Sequence, residues 1–355
     1  MTAAVSSTSP SRIHVDIAAS PPAPPALLAP LSFGRVGLAA LPDVGVLGAR
    51  VVGSALGAVE MPLLAPRTSG GAWADAWLAK GAIEHGVRGC VRYASNGEWL
   101  HGVATVDDAR TAGGLRAAAQ QAYTDLFAVL AGSATPHVLR LWNYIADINL
   151  ETDGTERYRQ FNVGRQDAFI AAGRSAFEGS PAACALGTQG GPLRVSFLAG
   201  RCAPLAIENP RQVSAYRYPQ AYGPRSPTFS RAALADVGAG RRALFISGTA
   251  SIVGHETLHL GDVGRQTHES LANIRVLREI ASQRAGRTIA VDELIYTIYV
   301  RHRDDLAIVR EAFEREVGAA SRAAREALYL QADICRAALL VEIEAHAFVP
   351  SEDKS

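Results

Sequence analysis

The chain has 355 residues, 48% of them hydrophobic and 19% charged, and its formal net charge is +1. This length allows two ordinary domains with a substantial core, and the balanced charge excludes the basic surface that binding to nucleic acid or to an anionic membrane needs. Lys80 and Lys354 are the only lysines among 35 basic residues, so nearly every cationic side chain is a planar guanidinium suited to pairing with carboxylates.

Cysteine spacing and hydrophobic runs indicate the compartment. The four cysteines lack metal-ligand spacing and favour a reducing cytosol over a disulfide framework: they are Cys90, Cys184, Cys202 and Cys335. No segment reaches the roughly 18 continuous apolar residues of a membrane span. Residues 1–30 are rich in Pro, Ala and Ser and do not resemble a signal peptide. We therefore expect a flexible leader on a soluble, cytoplasmic protein.

From about residue 31 the first half alternates strands with helices. Short apolar runs between glycine and polar residues predict strands at 44–52, 87–93 and 98–106. Apolar side chains at helical spacing then predict a helix over 109–131. A strand over 137–149 and a second helix over 157–173 follow.

The same order recurs in the second half. The pattern predicts strands at 193–197, 243–253 and 294–300, helices at 266–284 and 306–317, and a closing hairpin over 328–348. In the last arm of that hairpin Val341, Ile343 and Ala345 face one way, and Glu342, Glu344 and His346 face the other. The repeated order suggests an internal duplication.

These patterns predict an α/β (α+β) fold with two mixed-sheet domains and helices packed on one face. We expect a leader over 1–30, an N-terminal α/β domain over 31–200 and a C-terminal domain over 201–355, with the active-site cleft between the two domains. Residues 204–227 contain five prolines, which fits an ordered loop crossing from one half to the other.

One short motif suggests a metalloprotease. His255, Glu256 and His259 spell H-E-x-x-H, which binds zinc when both histidines lie on one face of a helix. Gly254 and Gly261 bracket the string and leave room for fewer than two helical turns, and no third ligand follows at a suitable spacing. We therefore expect no metal site here.

The C-terminal half resembles the Rid (YjgF-like) family of small imine deaminases. The resemblance rests on LFISGTASI (244–252), QTHESLANIRVLREI (266–280) and IYTIYVRHRDDLAIVREAFEREVG (295–318). The chain from about residue 30 onward resembles a more specific group, the chorismatases, which carry a Rid-like C-terminal domain. The blocks that carry this resemblance are RLWNYIADIN (140–149), ERYRQFNVGRQDAF (156–169), SAYRYPQAYGPRSPTFSRA (214–232), SGTASIVGHETLHLGD (247–262) and ICRAALLVEIEAHA (334–347).

The resemblance implies conversion of chorismate to pyruvate and a ring acid, without metal or organic cofactor. Chorismate is a dianion, so binding it takes two cationic clamps, for which guanidinium is the best partner. Cleaving its enol ether takes a general acid that protonates the methylene carbon. A carboxyl kept protonated near neutral pH by desolvation or a neighbouring acid would serve.

Glu342 is the candidate acid. By spacing alone, Glu342 and Glu344 are better explained as the solvated face of an amphipathic strand. The resemblance reverses this preference, because the family's catalytic glutamate falls at position 342. Glu344 is the second candidate.

Two groups of residues are candidates for substrate binding. Tyr158 and Arg165 are seven residues apart, so on a helix both point to one side, where they can hold a carboxylate. The proline-rich crossing supplies a second phenol–guanidinium cluster, formed by Arg217, Tyr218, Tyr222 and Arg225. A packing or surface role remains possible for all of these residues. Arg301 and Arg303 are weaker candidates, because alternation turns one of them outward.

The resemblance implies that two small residues bear on the product. Gly248 leaves room beside the ring, and Cys335 is a polarizable thiol seven residues before the candidate acid. The resemblance implies 3-hydroxybenzoate and pyruvate, with some 4-hydroxybenzoate as an open alternative, and it gives Cys335 a catalytic role. A buried small side chain is the ordinary interpretation of Cys335 without the family.

Four other functions remain open. They are hydrolysis of chorismate to a dihydroxycyclohexadiene carboxylate, Rid-type imine deamination, non-catalytic sensing of an aromatic acid and, last, zinc proteolysis. A chain that holds a doubled unit can build its cleft internally, so we expect a monomer or a small homo-oligomer. Chorismate is the expected partner, and neither nucleic acid nor membrane is.

Overall fold

The computed structural model describes residues 28–42, 45–52, 61, 64 and 72–350. Its first strands are β1 (Leu31–Gly37), β2 (Val46–Val52) and β3 (Trp73–Ala79). They form an antiparallel sheet with β3 in the middle. Leu28 is already buried in the core, so packing begins before residue 31. Residues 1–27 of the predicted leader lie outside the described residues.

The next part of the chain builds a larger mixed sheet and two helices. Its elements are β4 (Glu84–Arg88), β5 (Val91–Ser95), β6 (Trp99–Val106), α1 (Gly114–Ala131), β7 (His137–Ala146), the short pair β8 (Glu151–Thr152) and β9 (Thr155–Glu156), α2 (Arg157–Ala171), β10 (Ala182–Thr188) and β11 (Leu193–Gly200). Except for β8 and β9, these strands belong to one seven-stranded sheet, whose seventh member comes from near the end of the chain.

The last part builds a six-stranded sheet and three helices. Its elements are β12 (Leu205–Ile207), β13 (Ala232–Asp236), β14 (Arg241–Ala250), the short pair β15 (Ile252–Val253) and β16 (Glu256–Thr257), α3 (Val263–Ala285), β17 (Ile295–Val300), α4 (Leu306–Val317), α5 (Arg322–Glu326), β18 (Leu328–Gln331), β19 (Asp333–Ile334) and β20 (Val341–Pro350). β19 pairs with β10 and completes the seven-stranded sheet. Among the described helices, none is long and apolar enough to cross a membrane.

The two large sheets repeat one topology. In the first, the β4-β5-β6 meander is followed by α1, β7, α2 and β10, which pairs in parallel with β7, and β11 returns between β6 and β7. In the second, β12-β13-β14 is followed by α3, β17, α4 and β18, which pairs in parallel with β17, and β20 returns between β14 and β17. The repeated element order predicted from the sequence is therefore present in the fold.

Most strands of the two large sheets are buried on both faces, whereas the edge strand β4 is largely exposed. Helices α1 and α2 cover one face of the seven-stranded sheet, and α3 and α4 cover one face of the six-stranded sheet. The opposite faces turn towards each other and towards the three-stranded sheet, around a shared core. This confirms the predicted mixed α/β fold with helices on one face. It also means that Glu342, Glu344 and His346 lie in the interior and not on a solvated face.

Several element predictions were wrong. The single strand predicted over 87–93 is two strands, because Gly89 turns the chain with φ of +55°. The predicted closing hairpin does not form, since β17 lies between β18 and β20. Strands β3, β10 and β13 were not predicted, because their alanine-rich sequences contain only one of the β-branched residues that mark strands, Thr188. Helix α1 begins at Gly114 and not at 109, after a turn.

Five charged residues whose side chains are buried link the three sheets, and we call them the ion cluster: Arg35, Arg50, Asp75, Arg140 and Glu344. Arg50 of β2 bonds to Asp75 and, at 2.6 Å, to Glu344 of β20. Arg140 of β7 bonds to the other oxygen of Glu344 at 2.5 Å. Charges in a low-dielectric interior need such pairing, and removal of one partner leaves an uncompensated buried ion.

We predict that Arg50→Met will destabilise the fold by about 3–5 kcal/mol, because it strips Asp75 and Glu344 of a shared partner. Urea denaturation measures the free energy of unfolding. The control is Arg110→Met, which breaks a pair between Arg110 and Asp107 whose side chains are 88% and 52% exposed. That change should stay within about 0.5 kcal/mol. Equal stability of both variants would contradict the structural importance of the ion cluster.

Candidate functional site

A cavity of about 290 Å³ lies between the inner faces of the two large sheets. Its lining comes from β10, α2, the proline-rich crossing, β14, the short pair β15 and β16, and the segment from Cys335 to Glu342. Elements from both halves of the chain therefore meet around one space, and we call it the pocket. Its residues decide what chemistry the fold can perform.

Glu342 contributes a buried carboxyl to the pocket. It is the second residue of β20, it is 3% exposed, and its carboxyl accepts no hydrogen bond from any described residue. Burial, followed by the negative charge of Glu344, raises the pKa of Glu342 to about 8. A carboxyl in this environment keeps its proton at neutral pH and can donate it.

Glu344, two residues further along the same strand, is held in the opposite, ionised state. One of its oxygens accepts hydrogen bonds from Arg50 at 2.6 Å and from the Tyr299 hydroxyl at 2.8 Å, and the other accepts one from Arg140. Burial favours its neutral form, but Arg50 and Arg140 outweigh burial and bring the pKa of Glu344 to about 2. A fixed negative charge therefore sits beside Glu342.

Gly248 makes room for the acid itself. A Cβ atom at position 248 would lie 1.9 Å from Glu342 Oε1 and 3.0 Å from the Cβ of Cys184. The β14–β20 pairing shifts register between Ile246 and Thr249, at this glycine. We expected Gly248 to leave room beside a substrate ring. In the structure Gly248 lines the pocket, and the Glu342 carboxyl occupies the space that a side chain at position 248 would need.

Helix α2 brings Tyr158 and Arg165 to the pocket on one side, in agreement with their spacing. The helix approaches α1 closely because Gly164 has no side chain, since a Cβ there would lie 2.0 Å from the Arg116 carbonyl oxygen. The Arg165 guanidinium lies 5.0 Å from the Phe161 ring centroid, and its Nη2 donates to Asn162 at 3.0 Å. It is thus fixed in place at the pocket.

The residue directly before β13 and the loop before β20 supply further cations, which were not predicted from the sequence. Arg231 donates to the Tyr218 hydroxyl at 2.8 Å. Arg336 stacks 4.0 Å from the Tyr222 ring centroid and donates to the His255 carbonyl at 2.8 Å. Both arginines lie inside the matched sequence blocks, next to residues that were chosen, so the signal was present but did not separate them from their neighbours.

Four arginines line the pocket: Arg159, Arg165, Arg231 and Arg336. In Arg165, Arg231 and Arg336 a buried nitrogen has no hydrogen-bond partner among the described residues, whereas Arg159 Nε forms an ion pair with Glu156 at 3.5 Å. Unpaired buried donors on several sides of one cavity are suited to an anionic ligand with more than one carboxylate.

The structure does not bring Arg217 and Arg225 to the pocket. Arg217 is exposed and lies over the neighbouring Tyr216 ring, and Arg225 is exposed and pairs with Asp167 at 3.6 Å. The proline-rich backbone turns both side chains outward. Arg301 donates to Asp333 and to the carbonyls of Ile334, Leu339 and Arg336, so it holds the loop that carries Cys335.

Two cysteines lie in the pocket wall, Cys335 and Cys184. Burial, together with the charge of Glu342, raises the pKa of the Cys335 thiol to about 12. Burial also raises the pKa of Cys184 well above its ordinary value. Both side chains therefore contribute small neutral thiols beside the acid and not thiolate nucleophiles.

The H-E-x-x-H string does not form a helix. Glu256 lies in the hairpin of β15 and β16, and His259 has φ of +58°. His255 Nδ1 lies 3.2 Å from the Tyr222 hydroxyl, and His259 Nε2 lies 3.3 Å from Glu269. The hairpin instead supports the pocket, because Arg336 bonds to His255 and Thr257.

Comparisons with known proteins agree with this architecture. A family model described as "Chorismatase FkbO/Hyg5-like, N-terminal" matches residues 75–199. A chorismatase of Streptomyces rapamycinicus is 42% identical over 286 residues, or 77% of this chain and 81% of that protein. A 3-hydroxybenzoate synthase of Streptomyces hygroscopicus is 37% identical over 296 residues, or 81% and 84%. A crystal structure of a chorismatase has a TM-score of 0.78 at 31% identity and covers 90% of this chain and 99% of that one.

The fold and the pocket define an α/β protein in which a buried carboxyl of raised pKa lines an arginine-rich cavity. With these matches over most of its length, the chain belongs to the chorismatase family. Solved proteins of the Rid and YjgF group cover a smaller part, 41% of the chain in one case and 34% in another.

Glu342 should make stability fall as the pH rises. Its folded-state pKa of about 8 exceeds its ordinary 4.5, so between these values the unfolded chain releases the proton while the folded protein keeps it. Relative to Glu342→Gln, wild-type protein should lose up to about 1.4 kcal/mol per pH unit across this window. Urea denaturation at several pH values measures the difference.

Glu311→Gln is the matched control, because Glu311 lies on α4 with its side chain 72% exposed. Its stability should follow that of the wild type at every pH. If the wild type and Glu342→Gln had parallel stability curves, Glu342 would have an ordinary pKa and the assignment of a protonated acid would fail.

Proposed function

We propose that this chain cleaves chorismate to pyruvate and 3-hydroxybenzoate, with Glu342 as the general acid. The observation that carries the proposal is the Glu342 carboxyl, buried with a raised pKa in a cavity lined by four arginines. The matched relatives support the substrate, since they are named chorismatase and 3-hydroxybenzoate synthase.

The two carboxylates of chorismate need separate cationic partners. Arg165 and Tyr158 of α2 offer one guanidinium and phenol, and Arg231 with Tyr218 offers a second. Arg336, stacked on Tyr222, adds a third cation in the same cavity. Because these groups come from both halves of the chain, the bound dianion would be held between the proposed domains, residues 31–200 and 201–355.

The proposed reaction begins with proton transfer from Glu342 to the methylene carbon of the enolpyruvyl group. The resulting oxocarbenium ion makes the side chain a good leaving group. The bond between the ether oxygen and the ring then breaks, and this oxygen departs as the carbonyl of pyruvate. The adjacent ring hydroxyl bonds to the carbon that was vacated and gives its proton back to the Glu342 carboxylate.

The arene-oxide-like ring acid that results opens and aromatises to 3-hydroxybenzoate. Oxygen retained on the other carbon would give 4-hydroxybenzoate. The two products together contain the atoms of chorismate, so no water is consumed. The small neutral side chains of Cys335 and Cys184 next to Glu342 fit this route, because they provide no base that would activate water.

Glu344 would keep the acid in its working state. Its charge is fixed by Arg50 and Arg140 and lies on the same face of β20 as Glu342. A like charge nearby disfavours ionisation of Glu342 and so preserves the proton near neutral pH. Glu344 would thus act on the reaction through Glu342, as a positioning residue.

The products test the proposal directly. Purified protein incubated with chorismate should release equal amounts of pyruvate and 3-hydroxybenzoate, separated by chromatography. In D₂O the pyruvate methyl group should carry one deuterium from the acid. Glu342→Gln should lower kcat roughly 10²–10⁴-fold with a similar KM, whereas Glu311→Gln should retain activity. A ring acid heavier by one water would indicate hydrolysis, and absence of pyruvate would refute chorismate cleavage.

We predict that Glu344→Gln will move the alkaline limb of the pH–rate profile to lower pH. Activity requires protonated Glu342, so the rate falls as the pH rises through its pKa of about 8. Removal of the Glu344 charge removes one cause that raises this pKa, and the limb shifts down. The pH dependence of kcat measures the shift, and Glu311→Gln should leave the limb in place. An unchanged limb in Glu344→Gln would exclude the electrostatic role.

A further inference from the structure

A second cavity, of about 10 Å³, lies in the shared core beside the ion cluster. Its wall comes from all three sheets, through β2, β3, β7, β14 and β20. Every residue that lines it is buried. The volume is close to the roughly 10–15 Å³ that a single water molecule requires by this measure.

Three polar atoms of the lining residues have no hydrogen-bond partner among the described residues. They are Trp77 Nε1, Arg140 Nη1 and His346 Nε2. Trp77 is 1% exposed, Arg140 2% and His346 8%, so bulk solvent does not satisfy them. Buried polar groups in folded proteins are generally satisfied by protein or by ordered water, and three in one small cavity indicate a common ligand.

We propose that this cavity binds one internal water molecule, which accepts hydrogen bonds from Trp77 Nε1 and Arg140 Nη1 and donates one to His346 Nε2. Two fixed N–H donors exclude a metal cation. The carboxylates of Asp75 and Glu344, also in the wall, disfavour an anion. A neutral ligand that both accepts and donates hydrogen bonds satisfies all three atoms.

The state of His346 agrees with this arrangement. Burial lowers the pKa of His346 to about 3, so its ring is neutral and one ring nitrogen can accept a hydrogen bond. The water fixes the tautomer with the proton on Nδ1. Arg140 Nη2 already donates a hydrogen bond to Glu344, and Nη1 donates one to the water, so both ends of the guanidinium are held. The site therefore extends the ion cluster to Trp77 of β3.

A high-resolution crystal structure of the ligand-free protein tests the site. Spherical density should lie about 2.7–3.2 Å from all three atoms. A bromide soak should give no anomalous peak at this position. An empty cavity would overturn the proposal, and a bromide peak would show that the site takes an anion and would overturn it as well. Neither result depends on the proposed function, since no activity is measured.

A solution measurement compares the protein with Trp77→Phe, which removes one donor and keeps an aromatic ring. Oxygen-17 relaxation dispersion counts long-lived internal waters, and the variant should show one fewer than the wild type. Trp73→Phe is the matched control on the same strand, because Trp73 does not line the cavity. It should keep the wild-type count. Equal counts in Trp77→Phe and wild type would overturn the proposal.

Discussion

Arg50 and Arg140 each bond one carboxylate oxygen of Glu344, and the rest of the structure depends on this clamp. Each of the three residues comes from a different sheet, and all are buried. Unpaired charges in this interior would be strongly destabilising, so the sheets can pack only in the arrangement that brings them together. The same clamp fixes the negative charge that raises the pKa of Glu342. The clamp that links the sheets therefore also contributes, after burial, to the raised pKa of Glu342.

Two carboxyls on one face of β20 are brought to opposite protonation states by their neighbours. Glu344 receives three strong donors and has a pKa of about 2, whereas Glu342 receives none from the described residues and has a pKa of about 8. Their chemical identity and backbone setting are nearly the same, so only the placement of guanidiniums separates them. Gly248 completes the arrangement, because its missing side chain is the space that the Glu342 carboxyl fills.

Sequence pattern within single elements predicted only part of the pocket. Helical spacing placed Tyr158 and Arg165 together, and strand alternation put Glu342 and Glu344 on one face. Sequence pattern could not distinguish the arginines of the irregular segments. Arg217 and Arg225 point outward. Arg231, directly before β13, and Arg336, in the loop before β20, line the pocket. Irregular backbone has no period, so the direction of each side chain there depends on long-range contacts such as the Arg336–Tyr222 stack.

The sequence by itself determined the repeated order of strands and helices, the helical face of α2 and the alternation along β20, because these follow from spacing within one element. It also carried the blocks from which the family was recognised. Only the tertiary structure decided that the polar face of β20 is buried, that β17 separates β18 from β20, and that Gly248 accommodates the acid. Each of these depends on which distant strand lies opposite. That partner is selected by packing and charge pairing over the whole chain, so no local window contains the answer.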